Sequence, residues 1–104
     1  MIFIINYSGG MKDSTEELLK EPTWFQLKAV MNKQLIGFPG DFISWDQPDP
    51  RWILGFNWLA NKIHPDLVSF DTKALIIIFH TDFYHSDTSI VKSNIFPLMK
   101  DDLP

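Results

Sequence analysis

The sequence predicts a small single domain of the α+β class, spanning residues 1–104. In it, a β-sheet with an N-terminal and a central buried strand packs against two to three helices. Apolar, β-branched runs at residues 2–7 and 74–83 are typical of strands. Segments between them show helical spacing and helix-start residues. A chain of 104 residues with 45% hydrophobic content is also large enough for one core.

The first strand is expected at residues 2–7, where a Ser-Gly-Gly turn ends the apolar run. A capping box then follows, because Ser14 stands three residues before Glu17. The acidic side chains of this first turn also suit the helix dipole. We therefore predict a short helix that runs to about Lys20 and is interrupted by Pro22.

A second helix is predicted over residues 23–35, with Thr23 and Gln26 as its capping pair. Gly37 supplies the stop signal after it. Its apolar residues recur at helical spacing and form one stripe: Trp24, Leu27, Met31 and Leu35.

Residues 37–50 contain two glycines and three prolines, which indicates a long loop with a brief strand at residues 42–45. Asp49 and Pro50 then fit the N-cap and first position of a third helix over residues 51–64. A strand is the alternative there, because Gly55 and the aromatic residues also permit one. On a helix, four apolar side chains share a face: Trp52, Phe56, Leu59 and Ile63.

Residues 74–83 are predicted to form the central strand, because an unbroken apolar run is typical of a strand buried on both faces. This strand is expected to pair with the first one. The segment after it either begins a short helix at Asp87 or forms one more strand.

Charge and composition narrow the classes of function. Thirteen acidic and nine basic residues give a net charge of −4, and Arg51 is the single arginine, so direct nucleic-acid binding is disfavoured. An acidic domain suits a basic protein partner, although the charge also serves solubility. The chain has no cysteine, no signal-peptide pattern and no apolar run of membrane-spanning length. We therefore expect a cytoplasmic protein that does not bind a membrane.

The stretch FHTDFYHSD is the strongest candidate for chemistry, because it contains His80, Asp82 and His85. On a strand, His80, Asp82 and Tyr84 would share one face, and His85 would point to the other. A small metal-dependent or His/Asp enzyme is therefore an alternative hypothesis. The spacing specifies no third ligand, and no nucleophile motif is present. We expect no metal, no cofactor and no catalytic activity.

The loop GDFISWDQPDPRW is the first candidate for partner binding. It alternates carboxylates with aromatic side chains, as interface hot spots do, and its prolines would hold it in one shape. The alternative is that its tryptophans belong to the core and that Asp49 is only a helix cap. The predicted partner-binding residues are those of this loop and of the segment after His80: Asp41, Trp45, Asp46, Asp49, Trp52, Asp82, Tyr84, His85 and Asp87.

In size, acidic charge, lack of cysteine and lack of catalytic motifs, the chain resembles bacterial toxin-immunity proteins, or antitoxins, such as contact-dependent growth-inhibition immunity proteins. The resemblance extends to no particular residue. It implies a non-catalytic protein that occludes the active site of a basic nuclease toxin. In that mechanism carboxylates stand where the toxin binds substrate phosphates.

Overall fold

The chain begins with a short strand, and all but one of the elements that follow are helical. The computed structural model describes residues 1–7 and 11–99, and of residues 11–13 the backbone alone. The elements of the first half are β1 (Ile2–Ile4), α1 (Met11–Leu18), a 3₁₀ turn (Trp24–Gln26), α2 (Lys28–Met31) and β2 (Leu35–Gly37). Those of the second half are α3 (Trp52–Ile63), α4 (Thr72–Tyr84), α5 (Thr88–Ile90), a π turn (Val91–Ile95) and a 3₁₀ turn (Phe96–Met99). This arrangement confirms the predicted α+β class.

In the described ranges the sheet has two parallel strands, with Phe3 opposite Ile36. The predicted N-terminal strand is therefore confirmed, but its expected partner is wrong, because β1 pairs with β2 and not with residues 74–83. Parallel strands need a long connection, and here α1 and α2 supply it.

The first two helices differ from their predictions. Helix α1 already includes Ser14, so Ser14 is not its N-cap and the predicted capping box is wrong. The predicted helix over residues 23–35 is replaced by a 3₁₀ turn, the single turn of α2 and the strand β2. Lys33 adopts a left-handed conformation, with φ of 56°, which ends the helical stretch and turns the chain into β2. Pairing with β1 outweighs the helical pattern there.

Helix α3 confirms the helical interpretation of residues 51–64 over the strand alternative. Its buried residues are Leu54, Gly55 and Trp58. On the predicted shared face, Trp52, Phe56 and Ile63 are exposed, and Leu59 is half-buried. The helix begins later than predicted, because the residue preceding it is Arg51 and not Asp49, but the Asp49 carboxylate accepts the Arg51 N–H at 2.9 Å, as an N-cap side chain does.

Helix α4 replaces the predicted central strand. Its N-cap is Asp71, whose carboxylate accepts the Ala74 N–H at 3.1 Å, and the helix continues to Tyr84. The buried side chains are Ile76, Phe79 and His80, which have helical spacing. An unbroken apolar run does not distinguish a buried strand from a helix, and this run is longer than most strands. No helix within the described ranges is long and apolar enough to cross a membrane.

The core joins both halves of the chain. It consists of buried side chains from β2 onward: Phe38, Trp45, Leu54, Trp58, Ile76, Phe79, Val91, Ile95 and Met99. The last three come from the turns after α5. Asp87 caps that helix, since its carboxylate accepts the Ser89 N–H at 2.7 Å. Of the two alternatives for this segment, the short helix at Asp87 is confirmed.

A pair of alanine variants tests the helical geometry of α4. Ile76 is fully buried, whereas Ile78, two residues on, is 55% exposed. We expect Ile76→Ala to lower the free energy of unfolding by about 2–5 kcal/mol, because it removes buried methyl groups and leaves a cavity. Ile78→Ala should change it by no more than about 0.5 kcal/mol. Urea unfolding followed by tryptophan fluorescence measures both. A similar loss in both variants would indicate a strand, where the two side chains share a face.

Candidate functional site

The two segments predicted to bind a partner meet in space, although some thirty residues separate them in the chain. The Asp41 carboxylate lies 3.3 Å from the His80 ring, from its Oδ2 to Nε2. The Arg51 guanidinium lies 5.0 Å from the centre of the Tyr84 ring, in a cation–π arrangement. The loop before α3 is therefore joined to the C-terminal half of α4.

Asp41 is the centre of this junction. Its side chain is completely buried, and Oδ2 accepts a hydrogen bond from Arg51 Nε at 3.0 Å. Its Oδ1 accepts the Ile43 backbone N–H at 3.2 Å, which also holds the loop. A buried carboxylate is tolerated only when it is paired and hydrogen-bonded, and Asp41 meets both conditions.

Arg51 connects two carboxylates. Its Nη1 donates to Asp49 Oδ1 at 3.1 Å in addition to the bond with Asp41. Burial of the guanidinium disfavours its charged form, but the carboxylates outweigh that effect, so the pKa of Arg51 is raised. The pKa of Asp49 is lowered, chiefly because its carboxylate accepts the Arg51 backbone N–H. The charge of Arg51 is thus compensated inside the protein.

His80 is 4% exposed and faces the protein interior. Its Nδ1 lies 3.2 Å from the Ile76 carbonyl oxygen, one turn earlier in α4. Its Nε2 lies close to the Asp41 carboxylate, but the two groups do not form a hydrogen bond. This ring nitrogen of His80 therefore faces a carboxylate but has no hydrogen-bond partner within the described part of the chain.

The predicted cluster of His80, Asp82 and His85 is not assembled. Because this segment is a helix, His80 points inward and shares a face with Tyr84, at 5.7 Å between ring centres. Asp82 is exposed, and His85 lies just past the helix in a left-handed conformation, also exposed. The strand faces proposed for these residues are therefore wrong. Among the described residues, no three histidine or acidic side chains are grouped so that they could hold a metal ion.

A cleft of about 220 Å³ opens beside the junction. Its exposed lining residues include Phe42 and Ile90. Arg51 lines it from the loop before α3, and His80 and Tyr84 line it from α4. Ser86 and Asn94 add polar groups to a lining that also includes Val91 and Ile95. We call the surface around this cleft, with Phe42, Tyr84 and Ile90 as its exposed apolar residues, the cleft face.

Two of the predicted partner-binding residues are buried. Trp45 is 1% exposed and belongs to the core, so its predicted role as a binding anchor is wrong and the core alternative holds. Asp41 is equally inaccessible. Trp52 is exposed, with its ring 5.9 Å from that of Phe56.

The remaining acidic residues keep contact with solvent. Asp46 is exposed, and its carboxylate accepts hydrogen bonds from Ser44 and, at 2.6 Å, from Tyr7. Slight desolvation opposes the effect of these hydroxyl groups, but they prevail and the pKa of Asp46 is lowered. Asp82 and Asp87 are exposed, and the pKa of Asp87 is lowered by the hydrogen bonds from Ser89. Asp49 is half-buried against Arg51.

Sequence reasoning missed Phe42 and Arg51 as members of the site. Phe42 lies in the loop already singled out, but nothing in the pattern distinguishes an exposed phenylalanine from a core one. Arg51 had a usable signal, because it is the one arginine of the chain and stands among aspartates.

Comparison of the chain with protein-family models, with curated proteins and with solved structures finds no match.

Proposed function

We propose that this chain is a non-catalytic binding protein that inhibits or shields a basic protein partner, and that the cleft face is its binding surface. The observation that carries the proposal is the convergence of the loop and α4. It brings Phe42 from one segment and Tyr84 from the other to the border of the same cleft. Two stretches with the composition of hot spots thus contribute to one surface.

Exposed aromatic side chains supply the affinity in this proposal. Phe42 is 68% exposed, and Tyr84 and Ile90 are also exposed large apolar residues. Apolar side chains grouped on a surface mark interaction sites far more often than scattered ones do. The cleft between them can receive a side chain of the partner, and such packed anchors contribute most of the energy of an interface.

The charge of the surface selects the partner. Exposed carboxylates of Asp46, Asp82 and Asp87 belong to the two segments that converge. The guanidinium of Arg51 does not offset them, because Asp41 and Asp49 already neutralise it. A negative surface accelerates encounter with a basic protein and rejects acidic ones.

The narrower form of the proposal is an immunity protein that neutralises a nuclease toxin by occluding its active site. A nuclease presents a basic surface to nucleic-acid phosphates, and the carboxylates of an acidic protein compete for that surface. The acidic, cysteine-free composition supports this form, as does the scaffold that holds the loop against α4.

Affinity purification with matched variants tests the proposal. The tagged protein, Phe42→Ala and Phe25→Ala are used to capture proteins from the native cells, and the captured protein is identified. Phe25 is the control, because it is 55% exposed and lies outside the cleft face. We expect a basic protein whose affinity falls by about 2 kcal/mol, or roughly thirty-fold, in Phe42→Ala and is unchanged in Phe25→Ala.

Kinetics and activity then separate the parts of the proposal. Asp82→Asn should mainly slow association and reduce its salt dependence, since an exposed charge acts through steering. Phe42→Ala should mainly speed dissociation. If the partner is a nuclease, a stoichiometric amount of the protein should abolish its activity. Equal affinities of Phe42→Ala and Phe25→Ala would place the interface elsewhere.

A further inference from the structure

We infer that the open edge of β1 binds an extended basic segment of the partner by strand addition. This inference deepens the proposed function and rests on it for the basic character of the partner. The edge of β1 and the cleft face are different surfaces of the protein.

Among the described residues, pairing occurs at only one edge of β1. The Ile2 N–H donates to the Gln34 carbonyl at 2.8 Å, and the Ile4 carbonyl accepts the Phe38 N–H at 2.7 Å. Successive residues of a strand direct their backbone groups to opposite sides. The N–H and C=O of Phe3 therefore point away from β2, and they have no hydrogen-bond partner among the described residues.

An edge of this kind is a template for another strand. Unpaired strand edges accept extended segments from other chains, with main-chain hydrogen bonds as the source of affinity. A sheet of two strands with three residues each is also marginal by itself, so a third strand would stabilise it. Ile5, the next residue in the alternation, extends the same edge.

A groove lies at the end of β1. Its volume is about 360 Å³, and it lies between the end of β1 and helix α1 with the turn that follows. Ile4, Ile5 and Leu18 form its apolar part, and Asn6 and Ser14, which are joined by a side-chain hydrogen bond, add polar groups to its lining. An extended segment placed along β1 would direct alternate side chains into this groove.

The charge of the groove determines which side chains of a bound segment fit into it. Glu17 and Glu21 line it, both are exposed, and neither carboxylate forms an ion pair with a described residue. They lie four residues apart, with Leu18 between them. A segment that alternates lysine or arginine with aliphatic residues complements both features, whereas an acidic segment would be repelled.

The segment after β1 is connected to the loop that contributes Phe42 to the cleft face. Tyr7, just beyond β1, donates its hydroxyl to the Asp46 carboxylate at 2.6 Å. A single basic partner that covers the cleft face can therefore extend a strand along β1.

Peptide binding tests this inference. The probe is a synthetic peptide of alternating lysine and valine, added to the full chain labelled for amide NMR. We expect binding that slows hydrogen exchange at the Phe3 and Ile5 amides and weakens about ten-fold in Glu17→Lys/Glu21→Lys. Glu16→Lys is the matched control, because Glu16 is an exposed residue of the same helix that does not line the groove. It should bind the peptide like the unmodified chain.

A second set of controls isolates the strand geometry. The same peptide N-methylated at every residue should lose binding, since neither of its edges can donate to the ladder. Phe42→Ala should bind the peptide as the unmodified chain does. Loss of peptide binding at the groove is therefore distinguished from loss of partner binding at the cleft face. Binding that tolerates N-methylation or the double charge reversal would overturn the inference. So would protection of Phe3 that rises with protein concentration without peptide, because that would assign the edge to a second copy of the chain.

Discussion

Trp45→Ala is expected to lower the free energy of unfolding by about 3–5 kcal/mol, which is a large fraction of the stability of a domain of this size. The side chain is 1% exposed and lies at the centre of the core cluster. Helix α3 approaches it closely: a Cβ added to Gly55 would lie 2.6 Å from the Trp45 carbonyl oxygen. Removing the indole would therefore leave a cavity between the loop and α3.

Trp45→Phe provides the matched control. The indole Nε1 of Trp45 is buried and has no hydrogen-bond partner in residues 1–7 and 11–99. Phenylalanine keeps an aromatic ring while it removes that unpaired donor. We therefore expect less than half the loss of Trp45→Ala. Urea unfolding followed by circular dichroism measures both variants. A Trp45→Ala protein with unchanged stability would show that the indole is not packed in the core.

Asp41→Asn is expected to lower the free energy of unfolding by about 3 kcal/mol, because it removes the buried charge that compensates Arg51. The asparagine preserves the shape of the side chain, so packing contributes little to the difference. Asp82→Asn is the control, since it removes the same charge from an exposed position. It should change the stability by no more than about 0.5 kcal/mol.

A double-mutant cycle assigns the loss to the ion pair. In an Arg51→Met background the buried cation is absent, so Asp41→Asn should cost much less than it does in the unmodified chain. Thermal and urea unfolding of the four proteins give the coupling energy. The same cost in both backgrounds would mean that Asp41 acts through the Ile43 N–H or His80 and not through Arg51.

Trp45 and Asp41 also show what the amino-acid composition of a stretch cannot distinguish. Asp41 and Asp46 both lie in one loop, each beside an aromatic residue. Trp45 lies in the same loop, and Trp52 is the first residue of α3. The structure buries Asp41 and Trp45 and exposes Asp46 and Trp52. The pattern therefore located the stretch that forms the site, but not which of its side chains reach the surface.

Local sequence signals were sufficient to predict those elements whose structure depends on a few neighbouring residues. The apolar run of β1, the helix at α3 and the cap at Asp87 were all predicted from residues close in the chain. The predicted class of the fold is confirmed, although one of the two strands from which it was inferred, residues 74–83, is a helix. The acidic character of the protein follows from its composition. Turn residues and caps act over three or four positions, which is why a sequence reveals them.

Tertiary structure alone decided the rest. Residues 35–37 leave a helical pattern because β1 offers them hydrogen bonds, and residues 72–84 form a helix because Ile76, Phe79 and His80 find the core on one side. That change of element places His80 against Asp41 and Tyr84 beside Arg51, which creates the cleft. A run of apolar residues satisfies a buried strand and a buried helix equally well. Only the partners available across the fold select between them.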